Sequence, residues 1–175
     1  MALAASFTPE KLVVGVLASG PAGDGQILSA LMSRWGPPDF VSPVLPFPYT
    51  TYYDAEMGTP LRRFFVSFSG LVDPGQLAVI KTQTNALEDG FREGGRRRVN
   101  LDPGLLALSR FVLATAKESS HRVALASGIW AEVTLLYEKG SFRPVEWTYP
   151  DYRSAGYIAI LNTIRGLYRD QLRPA

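Results

Sequence analysis

The chain reads as an α+β domain, with a ferredoxin-like βαββαβ start extended by an antiparallel β-meander and a C-terminal helix. Three observations predict this. Apolar β-branched runs alternate with segments of helical spacing in the order strand, helix, strand, strand, helix, strand through residue 101. After that point short apolar segments are separated only by turn residues, as in a meander. Helical spacing then returns behind Ser154, where Tyr157, Ile160, Leu161, Ile164 and Tyr168 fall on one face.

The run KLVVGVLA at residues 11–18 has no polar alternation, so it predicts a strand buried on both faces. Ile27, Leu28, Leu31 and Met32 recur at helical spacing up to Trp35, and Gly36-Pro37-Pro38 stops that helix. Residues 39–47 read as a strand whose Pro43 and Pro46 suit only a sheet edge, since neither can donate to a ladder. Tyr49–Pro60 is a polar-aromatic loop with room for one helical turn. Arg62–Ser69 is a further strand. Asp73 before Pro74 predicts a helix start, with the helix running to about Phe91. Gly94-Gly95 turns the chain into a strand at Arg96–Leu101. Phe111–Ala116, His121–Ala126 and Ile129–Tyr137 form the meander, and Lys139-Gly140 returns the chain through Ser141–Trp147. At 175 residues, without a repeat or linker, residues 1–175 make one domain.

Composition narrows the chemistry. The chain has one His and no Cys, which removes thiolate mechanisms, disulfides, Cys-based clusters and multi-His metal centres. Lys and Arg number 18 against 16 Asp and Glu, a balance too even for a nucleic-acid footprint without clustering. No apolar run reaches the length of a membrane span and no secretory signal opens the chain, so a cytoplasmic protein is expected.

Gly20 to Gly25 has the glycine spacing of a phosphate-binding loop between a strand and a helix. Gln26 and Ile27, however, stand where such a loop needs Lys and a hydroxyl residue. Strand alternation is more informative. In residues 96–102, Arg98, Asn100 and Asp102 share the face opposite Val99 and Leu101. In residues 129–138, Glu132 falls with Trp130 and Thr134 on the face opposite Ile129, Ala131, Val133 and Leu135. A carboxylate in that setting must be paired or exposed. Two stiff loops add aromatic groups with polar tips. Residues 37–53 hold five of the thirteen prolines and end in Tyr49, Tyr52 and Tyr53; residues 142–153 hold Trp147, Tyr149, Asp151, Tyr152 and Arg153.

With these segments in hand, the chain resembles a bacterial family, the domain of unknown function numbered forty-four sixteen, over nearly its whole length. The resemblance is carried by FPYTTYYDAEMG at 47–58, TNALE at 84–88, RRVNLDPG at 97–104, SHRVALASGIWAEVTLLY at 120–137 and WTYPDYRS at 147–154. It implies no particular activity or cofactor. Its strings coincide with the residues already singled out. Asp102, Glu132 and His121 are the candidates for acid–base work, with Asp102 and Glu132 also the candidates for holding a metal ion. Tyr52, Tyr53, Glu56, Arg98, Asn100, Arg122, Asp151, Tyr152 and Arg153 are the candidates for ligand contacts.

The expectation is a pocket for a small anionic or nucleotide-like ligand, with guanidinium groups holding the anion. Its rival is a non-catalytic protein- or RNA-binding surface built from the aromatic loops and two Arg groups, Arg92 with Arg96–Arg98, and Arg165 with Arg169 and Arg173.

Overall fold

A computed structural model describes residue 3, residues 5–20 and residues 23–173; Pro21 and Ala22 of the Gly-rich loop lie outside them. The run at 11–18 is the centre of the molecule. It forms β1 (Glu10–Ser19), buried along its whole length because both of its faces are covered. Leu12, Val14, Val16 and Ala18 point toward α1 (Asp24–Trp35) and α3 (Leu77–Asp89), where Ile27, Leu31, Leu77 and Ile80 meet them. Val13 points the other way, toward α4 (Ala155–Gln171), whose Tyr157, Leu161, Ile164 and Tyr168 cover that side. The result is a sheet between two helical layers.

On one side β1 pairs with β4 (Leu61–Val72), Gly15 opposite Phe65 and Leu17 opposite Arg63. On the other it pairs with β5 (Val99–Leu106), Gly15 opposite Asp102 and Leu17 opposite Asn100. The proline-bearing stretch splits into β2 (Pro38–Val41) and β3 (Leu45–Pro46), both on the outer edge of β4. Beyond β5 come β6 (Arg110–Thr115), β8 (Trp130–Glu138) and the two-residue β7 (Val123–Ala124), with β9 (Ser141–Pro144) also on β8. All pairings of this nine-stranded sheet are antiparallel. A single helical turn, α2 (Asp54–Met57), interrupts the aromatic loop as expected. Among the described residues no helix is long and apolar enough to cross a membrane.

Several boundaries differ from expectation for local reasons. Asp73 caps a short 3-10 turn at Pro74–Gln76, accepting from the Gly75 N–H at 2.8 Å, and α3 starts only after it. The expected strand at His121–Ala126 shrinks to β7, because the His121 and Arg122 side chains turn to Glu132. The expected return through Trp147 stops at Pro144. The strand predicted at Arg96–Leu101 begins at Val99 and runs on through Pro103 and Gly104.

That last shift creates the main feature of the fold. β5 pairs with β6 only over Gly104–Leu106. Before Gly104, β5 lies along β1 alone, while β6 from Leu113 to Thr115 lies along β8. The two strands fork. At Leu101 the backbone groups turned away from β1 are taken by α3 instead: the N–H donates to Glu88 Oε1 at 2.8 Å, and the carbonyl accepts from Lys81 Nζ at 2.8 Å. Pro103, two residues on, faces the same way, so its missing N–H costs no ladder bond there. Gly104 sits at the vertex. A Cβ on it would lie 2.6 Å from the Phe111 ring and 2.8 Å from the Val112 carbonyl, so only glycine lets β5 and β6 approach this closely.

Candidate functional site

The fork opens a cavity of about 750 Å³. Its floor is on the α4 side of the sheet. Arg63, 2% exposed, lies there beside Gly15, where a Cβ would meet its Nη1 at 3.0 Å and the Tyr152 hydroxyl at 3.1 Å. Nη1 donates to Asp102 Oδ2 at 2.9 Å, and Nη2 stands 3.6 Å from Asp151 Oδ2. Asn100 Nδ2 takes the other oxygen of Asp102 at 2.8 Å. Burial works against the charge on Arg63, but Asp102, ahead of Tyr152, Tyr157 and Asp151, more than restores it and raises its pKa.

The two carboxyls respond oppositely. Burial alone would raise Asp102, yet Arg63 and Lys81, with hydrogen bonds from Arg63 and Asn100, hold it below the usual carboxylate range. Burial raises Asp151; its more distant contact with Arg63 offsets only part, and Asp102 adds repulsion. Behind this floor the hydroxyl of Tyr152 and the Nε of Arg63 are buried without hydrogen-bond partners among the described residues, and the Tyr157 hydroxyl is turned to Arg63.

One wall is a row of rings. Phe47 and Tyr53 lie 6.2 Å apart by centroid, and Tyr53 and Tyr52 lie 5.0 Å apart, both edge-on. Arg63 sits 5.2 Å from the Phe47 centroid, Arg97 sits 5.8 Å from that of Tyr53, and Lys117 sits 4.2 Å from that of Tyr52. The α3 side adds Lys81 and Glu88, with Arg97 bridging Glu88 at 3.3 Å and Glu56 at 2.7 Å. Burial raises the pKa of Glu88 despite Lys81, the Leu101 N–H and Arg97.

At the mouth Arg122 Nε donates to Glu132 Oε2 at 2.8 Å and its Nη1 donates to the Lys117 carbonyl at 2.7 Å. Among the described residues Lys117 pairs with no carboxylate; its Nζ donates to the Tyr52 hydroxyl at 3.1 Å.

Nine of the residues singled out from the sequence line this cavity: Tyr52, Tyr53, Glu56, Asn100, Asp102, Arg122, Glu132, Asp151 and Tyr152. Asn100, Asp102 and Glu132 share one sheet face through the register Gly104 to Leu113 to Glu132. Three residues do not line it. Arg98 precedes β5 and spends its guanidinium on Glu93 and the Met57 carbonyl. Arg153 ties its own loop, donating to the carbonyls of Thr148, Glu146 and Val145. His121 lies outside the wall, with Nδ1 3.0 Å from Ser119 Oγ and Nε2 2.9 Å from Glu132 Oε2, its ring stacked on Trp147. Arg63, Lys81, Glu88, Arg97 and Lys117 were not singled out as site residues and do line the cavity.

Asp102 and Glu132, the metal candidates, each hold an arginine of their own, Arg63 and Arg122. Among the described residues no three His, Cys, Asp or Glu side chains gather as an ion site. The two Arg groups of the rival surface follow α3 and lie on α4, helices on opposite faces of the sheet.

The fold and the site define a small α/β protein with a preformed pocket lined by aromatic rings and paired charges. Residues 8–168, nearly the whole chain, match the family described as Domain of unknown function (DUF4416), and the chain belongs to that family. No curated protein and no solved structure matches it.

Proposed function

We propose that the fork cavity binds a small anionic molecule carrying a planar ring, of about the size of a mononucleotide. One observation carries the reading: rings and cations from separate segments, with Arg63, Arg97 and Lys117 each set over a ring, converge on a cavity whose volume is that of small-ligand sites generally. Arg63, Lys81, Arg92, Arg97 and Arg122, the other cations of the lining, are already paired with carboxylates. Lys117 is the cation left for a ligand anion, with the Tyr52 hydroxyl beside it. The Tyr52–Tyr53 wall supplies faces and edges for a ring. A cytoplasmic setting belongs to this reading. So does a ferredoxin-like start, supported by the order β2-β4-β1-β5 with α1 and α3 on one face.

The test is a thermal-shift and calorimetric titration with inorganic phosphate and purine mononucleotides. Binding to the folded state alone raises the melting temperature with ligand concentration. Lys117→Ala weakens binding about tenfold, the worth of one charge-assisted hydrogen bond. No binding by any of these probes contradicts the reading.

A further inference from the structure

The two ends of the cavity are chemically unlike. At the mouth, Lys117 has no carboxylate partner among the described residues. At the floor the excess is of the other sign, because one guanidinium serves two carboxylates. Asp102 is fully engaged, one oxygen on Arg63 at 2.9 Å and the other on Asn100 at 2.8 Å. Asp151 stands 3.6 Å from Arg63 through one oxygen, beyond hydrogen-bond length; its carboxylate accepts from the backbone N–H groups of Tyr152 and Asp151, and among the described residues no side chain donates to it. It is buried yet lines the cavity. Two backbone bonds leave a carboxylate with spare acceptor capacity, and a ligand N–H in the cavity takes it up. The row Tyr52, Tyr53, Phe47 runs between the ends, from the cation on Tyr52 to the guanidinium on Phe47.

We propose that the ligand is bipolar: its anionic group lies at Lys117, and an N–H or amine group at its far end donates to Asp151. This rests on the cavity being a ligand site and adds the chemistry of the end remote from the anion. A phosphate or carboxylate alone then fills only half of the site, and a ring bearing an amine is preferred over the same ring without one.

The experiment is calorimetric titration of the full chain with inorganic phosphate, adenosine 5′-monophosphate and purine riboside 5′-monophosphate, which lacks the amino group. The expected result is about tenfold or more tighter binding of the aminated nucleotide. That gap closes to threefold or less in Asp151→Asn, whose folding is checked by its circular dichroism and melting curve. In Lys117→Ala both nucleotides weaken together and the gap persists. Equal binding of the two nucleotides by the unaltered chain overturns the inference and leaves the cavity reading standing. Absence of binding by all three probes overturns both. The comparison on the unaltered chain needs no variant, so misfolding of Asp151→Asn does not protect the proposal.

Discussion

Replacing Arg63 with methionine keeps much of the buried stem and removes only the charge that organises the cavity floor. The guanidinium is 2% exposed, holds Asp102 at 2.9 Å and faces Asp151 at 3.6 Å. Its loss leaves two carboxylates on one floor with no cation between them. Breaking a buried pair by removing one partner costs about 3–5 kcal/mol, because the remaining charge is stranded. That is a large share of the 5–15 kcal/mol that roughly spans the stability of a domain. The sign with pH follows from Asp102. Its folded pKa is depressed, so its contribution is present above the unfolded value of about 3.9 and is lost as pH falls through the folded value. Arg63→Met removes the main cause of that depression, so its cost is largest near pH 7 and shrinks under acid as the carboxylates protonate. Urea unfolding of both proteins at pH 7 and pH 4 measures it. A cost below about 1 kcal/mol at pH 7, the level of an exposed pair, refutes the account of the floor. So does a cost that does not change with pH.

Three further outcomes follow from the same geometry. Gly104→Ala places a methyl group 2.6 Å from the Phe111 ring and 2.8 Å from a carbonyl, and costs about 1–3 kcal/mol in denaturant unfolding, as overpacking does; a neutral substitution shows that β5 and β6 are not held this closely. Glu88→Ala strands the Leu101 N–H and the buried Lys81, and costs about 3 kcal/mol, with Glu88→Gln losing less because its amide oxygen still accepts from Leu101. Equal losses in the two variants show that the Leu101 bond contributes nothing. Asp151 titrates with the opposite sign to Asp102. Its folded pKa is raised, so its contribution is present below the unfolded value and is lost as pH rises through the folded one. Asp151→Asn is therefore more favourable relative to the unaltered chain at pH 7 than at pH 4, and a difference independent of pH contradicts the raised carboxyl.

How much of this could be read from residues alone depends on how local each signal was. β1 announced itself as an unbroken apolar run, and covering on both faces is the reason for that run. Ser154 and the spacing behind it marked α4. Strand alternation paired Asn100 with Asp102 on one face because a period of two needs no tertiary information, whereas the shared face with Glu132 came only from the register of β5, β6 and β8.

Arg63 was different. It opens what reads as a core strand, and its partners Asp102 and Asp151 lie 39 and 88 positions away, so no local pattern marks it. Lys81 and Glu88 did leave a trace. With Thr84 they recur at helical spacing as a polar stripe beside Leu77 and Ile80, and such a stripe on a buried helix signals backbone groups that need partners. Pro103-Gly104 reads as the end of a strand when it marks a fork inside one. Arg98 and Arg153 sat in the right strings, but their guanidinium groups tie loops together, which residue type alone does not reveal.

The central claim, that the fork between β5 and β6 is a ligand site, is tested most directly by amide chemical-shift mapping on titration with adenosine 5′-monophosphate. The account predicts saturable shifts centred on three segments, residues 50–53, residues 115–117 with Arg122, and residues 149–152, which line the cavity. Shifts centred on α1 or on the exposed face of α4, or none at saturating nucleotide, contradict it.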